Sequence, residues 1–187
     1  MRIVSGKYKG HRLKAVPHNK TRPTADKVKE SLFHSIGPFF NEGKGLDLFA
    51  GSGNLGLEAL SRGLDHVVFV DHDYQSVQTI KANIKALQLE LQTEVYKNDA
   101  YRALKAAAKR EKKFDYVFLD PPYEKISYYN LMETLKSQNL LSEGATIICE
   151  HAQGDELPKS TETFKIIKQI NHSNVIANTI YRYNSRR

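Results

Sequence analysis

Along most of the chain, short apolar runs alternate with stretches whose apolar residues recur every three or four positions. Residues 45–49 (Gly-Leu-Asp-Leu-Phe) and 66–70 (His-Val-Val-Phe-Val) are short and nearly continuous in apolar character, the pattern of strands buried on both faces. Between them a glycine-rich turn, Ala50-Gly-Ser-Gly53, opens a helix that Gly63 can close. Val77, Ile80, Ile84 and Leu87 then fall in helical phase. Residues 93–96, 115–119 and 145–149 read as three further strands, separated by helices over 100–112 and 129–140. After a polar loop around 154–160, residues 164–170 and 175–183 read as an antiparallel pair. Strands alternating with helices predict an α/β, doubly wound, mostly parallel sheet with helices on both faces and an antiparallel edge.

Upstream of that alternation the pattern changes. Residues 2–5 and 12–16 read as two short strands around the turn Gly6-Lys-Tyr-Lys-Gly10, a basic hairpin with Tyr8 and His11 available for stacking. Thr21-Arg-Pro-Thr24 is a rigid connection, and the following helix places Val28, Leu32, Ile36 and Phe39 on one face. The chain therefore divides into an N-terminal basic extension, residues 1–40, and a core, residues 41–187.

Composition narrows the class. A chain of 187 residues, 40% hydrophobic and 26% charged, suits one soluble domain with a full core. No apolar run is long enough for a transmembrane helix, and Met1 to Lys7 lacks the apolar centre of a signal peptide, so the cytoplasm is the expected compartment. The single cysteine, Cys149, excludes an internal disulfide and falls in an apolar run, as a core thiol would. The histidines are dispersed without metal-ligand spacing, and no metal is expected. The net charge of +7 is unevenly placed: residues 1–29 hold nine basic side chains against Asp26 alone, while the remainder holds 19 basic and 20 acidic ones. That asymmetry points to a polyanion, most simply nucleic acid, docking at one end, with Arg2, Lys7, Lys9, Arg12, Lys14 and Lys20 as its contacts.

Candidate chemistry lies where the strands end, since doubly wound sheets bind ligands beyond their carboxyl edge. Gly51, Gly53 and Gly56 form a G-x-G-x-x-G pattern, yet Asp47 in the strand before it would repel a pyrophosphate. A carboxylate there suits the ammonium and sulfonium of S-adenosylmethionine (SAM). Asp71, 24 residues beyond Asp47, can accept from ribose hydroxyls, with Asp73 as an alternative or a helix cap. Asp99 can accept from the adenine amino group, or cap its own helix. Asn54, His72 and Ala100 adjoin these positions, and Arg22 and Thr24 are placed to reach the cofactor across the sheet end. The fourth strand ends in Asp120-Pro-Pro-Tyr123. An exocyclic amine is a poor nucleophile because its lone pair is delocalised into the base. The Asp120 carboxylate and the Pro121 carbonyl can take its two hydrogens and direct that lone pair outward. Pro121 and Pro122 together stiffen the backbone and remove competing N–H donors, while Tyr123 offers a stacking face. A carboxylate is an acceptor-only fork, which matches the adjacent N1–H and N2–H donors of guanine better than the donor–acceptor edge of adenine.

Asp47-Leu-Phe-Ala-Gly-Ser-Gly53 and Asp120-Pro-Pro-Tyr123 together resemble a class I SAM-dependent N-methyltransferase. The N-terminal Arg2-Ile-Val-Ser-Gly-Lys-Tyr-Lys-Gly-His-Arg-Leu13 and Thr21-Arg-Pro-Thr-Ala-Asp-Lys-Val-Lys-Glu-Ser-Leu-Phe33 resemble the RsmD family, nearly end to end. The resemblance implies a seven-stranded Rossmann-like sheet and methylation of guanine N2 in bacterial 16S rRNA. The partner is 16S rRNA, expected within an assembling small subunit with bare RNA as the alternative, and a monomer is expected. It also implies Asp71 on the ribose, Asp99 near adenine and Asp120 to Tyr123 at the target base. The family's usual Glu at the position of Asp71 is replaced here by the shorter acid. Two other readings share parts of the pattern: an adenine-N6 methyltransferase, which should carry a larger target-recognition insertion, and a non-catalytic RNA-binding module that keeps the fold.

Overall fold

The computed structural model describes residues 1–17, 26–122 and 126–185, and in it the alternating pattern becomes one seven-stranded sheet. In chain order the elements are α1 (Asp26–Ile36), β1 (Lys44–Asp47), α2 (Asn54–Ser61), β2 (His66–Asp71), α3 (Tyr74–Leu87), a 3-10 turn (Glu90–Gln92), β3 (Thr93–Lys97), α4 (Ala100–Lys109), β4 (Phe114–Leu119), α5 (Tyr128–Ser137), β5 (Leu141–Ala152), β6 (Phe164–Asn171) and β7 (Ile176–Tyr183). The strand order is β3-β2-β1-β4-β5-β7-β6. Strands β1 to β5 run parallel, and β7 enters antiparallel between β5 and the edge strand β6. The order reverses between β1 and β4, which opens a crevice at their carboxyl ends.

Alternation along each strand divides the core in two. Leu46, Leu48, Val68, Val70, Val117 and Leu119 face α4 and α5, where Leu104, Leu131 and Leu135 meet them. Val67, Phe69, Phe118 and Ile148 face α1, α2 and α3 through Leu32, Phe33, Leu57 and Ile80. Ile3 and Leu13 belong to this second core. At about 1.5–3 kcal/mol for each fully buried side chain, they fasten the N-terminal segment to the sheet.

That segment departs from its expected form. Instead of two strands it makes one antiparallel bridge, Arg2 with Arg12, and closes through Ile3 N–H to His11 O (2.9 Å) and Gly10 N–H to Ile3 O (2.8 Å). The ladder stops because its donors are taken elsewhere. The N–H groups of Val4 and Ser5 both donate to the Glu58 carboxylate, at 2.9 and 3.0 Å, and Lys14 N–H donates to Asn83 Oδ1 at 2.8 Å. Helix α1 also differs: its buried face is Lys29, Leu32 and Phe33, while Phe39 lies beyond the helix end and is 60% exposed. Gly37-Pro38 ends the helix before Phe39 can share that face. β5 is longer than its apolar run suggests, because Leu140 and Leu141 are buried ahead of it.

Candidate active site

The turn after β1 is built by two glycines in the left-handed region, Gly51 at φ 57° and Gly53 at φ 82°. Gly51 N–H donates to Asp71 Oδ2 at 2.8 Å, and a Cβ at Gly51 would meet nothing within 4 Å, so there is open room beside the turn. Gly56 has a different reason to be glycine: a Cβ there would lie 2.4 Å from Phe69 Cε1, so it sets how closely α2 approaches β2. Asp47 is 3% exposed and accepts from Gly56 N–H at 3.0 Å. Burial pushes its carboxyl up to about 7, with Asp120 and Asp71 adding to the effect.

Asp71 lies against the glycine turn, its second oxygen accepting from Asp73 N–H at 2.9 Å. Asp73 caps α3, accepting from Ser76 N–H at 2.8 Å, which leaves Asp71 as the acid facing the turn. His72 is largely exposed, 3.7 Å from Asp71. Asp99 caps α4: its Oδ1 accepts from Tyr101 N–H (2.9 Å) and Arg102 N–H (3.2 Å), with Ala100 buried behind it. Asn54 is buried at the start of α2, where its Oδ1 accepts from Lys29 Nζ at 2.8 Å.

Asp120, Pro121 and Pro122 leave β4 beside this turn, since Asp47 pairs with Phe118 in the register of β1 and β4. Asp120 is open to solvent at the mouth of the crevice, and partial desolvation pushes its carboxyl up to about 6. The next strand brings a residue that the sequence reading missed. Glu150, half-buried on β5, is pushed up to about 8 by burial and by the Asp120 and Asp47 carboxylates. Tyr123, Arg22, Thr24 and Lys20 lie outside the described residues.

Arg2, Lys7, Lys9, Arg12 and Lys14 are all exposed. Arg2 is nevertheless paired with Asp26 at 2.7 Å, and Lys7 stands 5.4 Å over the Tyr8 ring. Lys29 does not belong with them, because it is fully buried and paired with Glu58 at 3.2 Å. Glu58, also fully buried, takes Arg62 at 3.0 Å as well. Asn83 of α3 joins the segment to the glycine turn, donating to Lys14 O (3.1 Å) and Ser52 O (3.0 Å). Helical spacing could have found part of this network: Lys29 is in phase with Leu32 and Phe33, and Glu58 with Arg62.

A seven-stranded sheet of this order, with a glycine turn after β1 and acids closing β1, β2 and β4, defines the class I SAM-dependent methyltransferase fold. The converging carboxylates and the open space beside Gly51 fit a cationic cofactor and would oppose a pyrophosphate. A Bacillus subtilis protein named "Putative rRNA methyltransferase YlbH" is 53% identical over 160 residues, 86% of this chain and 87% of its own. "Ribosomal RNA small subunit methyltransferase D" of Haemophilus influenzae is 34% identical over 174 residues, 90% and 87% of the two chains. The solved structure titled "Putative methyltransferase yhhF from Escherichia coli" superposes with a TM-score of 0.86 at 28% identity, covering 100% of this chain and 99% of that one. The family described as conserved hypothetical protein 95 matches residues 1–181, and the chain belongs to it and to the RsmD group that its motifs resemble.

Proposed function

We propose that this protein transfers a methyl group from SAM to the exocyclic N2 amine of a guanine in 16S rRNA, in the cytoplasm, on RNA of an assembling small subunit. The observation that carries the reading is the β1–β4 register. It sets the glycine turn and Asp120-Pro-Pro at one level on adjacent strands, so cofactor and base meet over a single crevice. The names of the curated relatives support rRNA as the substrate.

When bound, SAM supplies an electrophilic methyl carbon on a sulfonium. The chain's own part is positioning. Asp47 and Asp71 hold the turn through Gly56 and Gly51 and give the cofactor pocket its negative potential. Asp120 and the Pro121 carbonyl accept the two amine hydrogens, which turns the N2 lone pair out of the ring plane. Little strong base is needed. The experiment is incubation with labelled SAM and either bare 16S rRNA or subunit precursors, followed by nucleoside mass spectrometry. N2-methylguanosine is expected; N6-methyladenosine as the sole product would replace this reading with an adenine enzyme, and absence of SAM binding would leave an RNA-binding module.

A further inference from the structure

Beyond the Asp-Pro-Pro motif, the crevice holds a second set of polar groups. The β4–β5 register pairs Leu119 with Cys149, and the β5–β7 register pairs Glu150 with Asn178. Asp120, Glu150 and Asn178 therefore form a row across three neighbouring strands at the same end of the sheet. Asn178 is 1% exposed, and its Oδ1 is bonded to His172 Nε2. Its Nδ2 is buried without a partner among the described residues, and so is Glu150 Oε2. A buried donor and a buried acceptor left open on directly opposed residues, one and two strands from the motif, mark hydrogen bonds that a ligand completes.

We infer that Glu150 reads the identity of the target base, accepting the guanine N1–H beside the N2 amine held by Asp120. This deepens the guanine-N2 reading and rests on it. Guanine presents N2–H and N1–H as consecutive donors, and Asp120 with the Pro121 carbonyl already takes the first group. The second donor meets the side chain on the adjoining strand. Adenine or 2-aminopurine brings a lone pair at N1 to the same oxygen, so Glu150 rejects them by repulsion as well as by a missing bond. Asn178, anchored through His172, stands opposite Glu150 in the strand register with its Nδ2 open. Glu150 sits among other acids, and a donor-bearing base is the kind of ligand that favours its ionised form.

The test uses an rRNA fragment in which mass spectrometry has located the methylated guanine, prepared with guanosine or 2-aminopurine at that position. 2-Aminopurine keeps the amine but has no N1–H. Wild type should strongly prefer guanosine. Glu150→Ala should lose about 10- to 100-fold in kcat/KM on guanosine and little on 2-aminopurine, so the ratio collapses. Glu150→Gln keeps the shape and an acceptor but adds a donor; it should fall between the two on guanosine and gain on 2-aminopurine. An unchanged SAM affinity by calorimetry verifies that each variant folds. A ratio preserved in both variants would overturn the inference. Equal losses on both bases would overturn it too, since an acceptor for N1–H cannot matter to a base that lacks one. A wild-type enzyme that forms no N2-methylguanosine is a separate outcome, and it removes the guanine-N2 reading itself.

Discussion

Asp47 and Asp120 are the same side chain on adjacent strands, and their settings give them different work. Asp47 is closed off and tied to Gly56 N–H, whereas Asp120 stands at the open mouth. In the proposed role Asp120 must be ionised, since protonation gives it an O–H donor that would face the amine, so turnover should rise with pH through about 6, the value to which desolvation pushes it. A flat profile between pH 5 and pH 7 would contradict that role. Asp120→Ala should abolish turnover while calorimetric SAM binding survives. Asp120→Asn should be severely impaired as well, because its NH₂ can face a guanine donor. For Asp47, burial raises the carboxyl from the ordinary 3.8 to about 7, so without the cofactor the native state holds its proton more tightly than the unfolded chain does. Its stabilising contribution is complete below about 3.8 and is lost as pH rises through about 7. Asp47→Asn keeps an acceptor for Gly56 N–H without the buried charge. It should melt higher than wild type at pH 8, converge with it near pH 4, and bind SAM more weakly by about 1–3 kcal/mol. Equal melting temperatures at pH 8 would mean that Asp47 carries no such cost.

Helix α2 does two things at once, carrying the glycine turn at its start and holding the N-terminal segment through Glu58. Removing that carboxylate leaves Lys29 and Arg62 buried without their counter-charge, so Glu58→Ala should cost about 3–5 kcal/mol in urea unfolding. Lys29→Met should cost much less, because Glu58 keeps Arg62 and the Val4 and Ser5 amides. Equal losses would show that Glu58 does not hold the group together. The strands and helices of the core were legible because parallel strands buried on both faces announce themselves as apolar runs. The glycine turn and Asp120-Pro-Pro were legible because their chemistry is contiguous in the chain. The Lys29–Glu58 pair was not, since a lysine among eight other basic residues reads as solvent-facing until a carboxylate 29 positions away is brought against it. Glu150 was invisible for a similar reason: its neighbours Asp120 and Asn178 come from other strands. Asp99 was legible both as an acceptor for the adenine amino group and as a helix cap, and the structure shows the cap.

Charge across the whole molecule is separated more finely than the sequence count implies. Lys29 is neutralised in the core and Arg2 is paired with Asp26, so the basic character of residues 1–17 rests on Lys7, Lys9, Arg12 and Lys14. The crevice, by contrast, gathers Asp47, Asp71, Asp120 and Glu150. RNA binding should therefore depend on a small basic surface that leaves the acidic site free for the cofactor and one extruded base. Deleting the segment is the wrong test, because it would strip Glu58 of two donors and Asn83 of its Lys14 contacts. Replacing Lys7, Lys9, Arg12 and Lys14 with alanine spares those backbone contacts. Each lost phosphate contact should reduce the slope of log affinity against log salt by about 0.7–0.9. Four such losses are readily resolved in a salt titration of rRNA binding, and SAM affinity should stay at the wild-type value. An unchanged slope would place the RNA surface elsewhere, with the lysines between 105 and 113 on and after α4 next in line. A slope that flattens together with a loss of SAM affinity would instead mean that the Asn83 link carries RNA binding into the glycine turn.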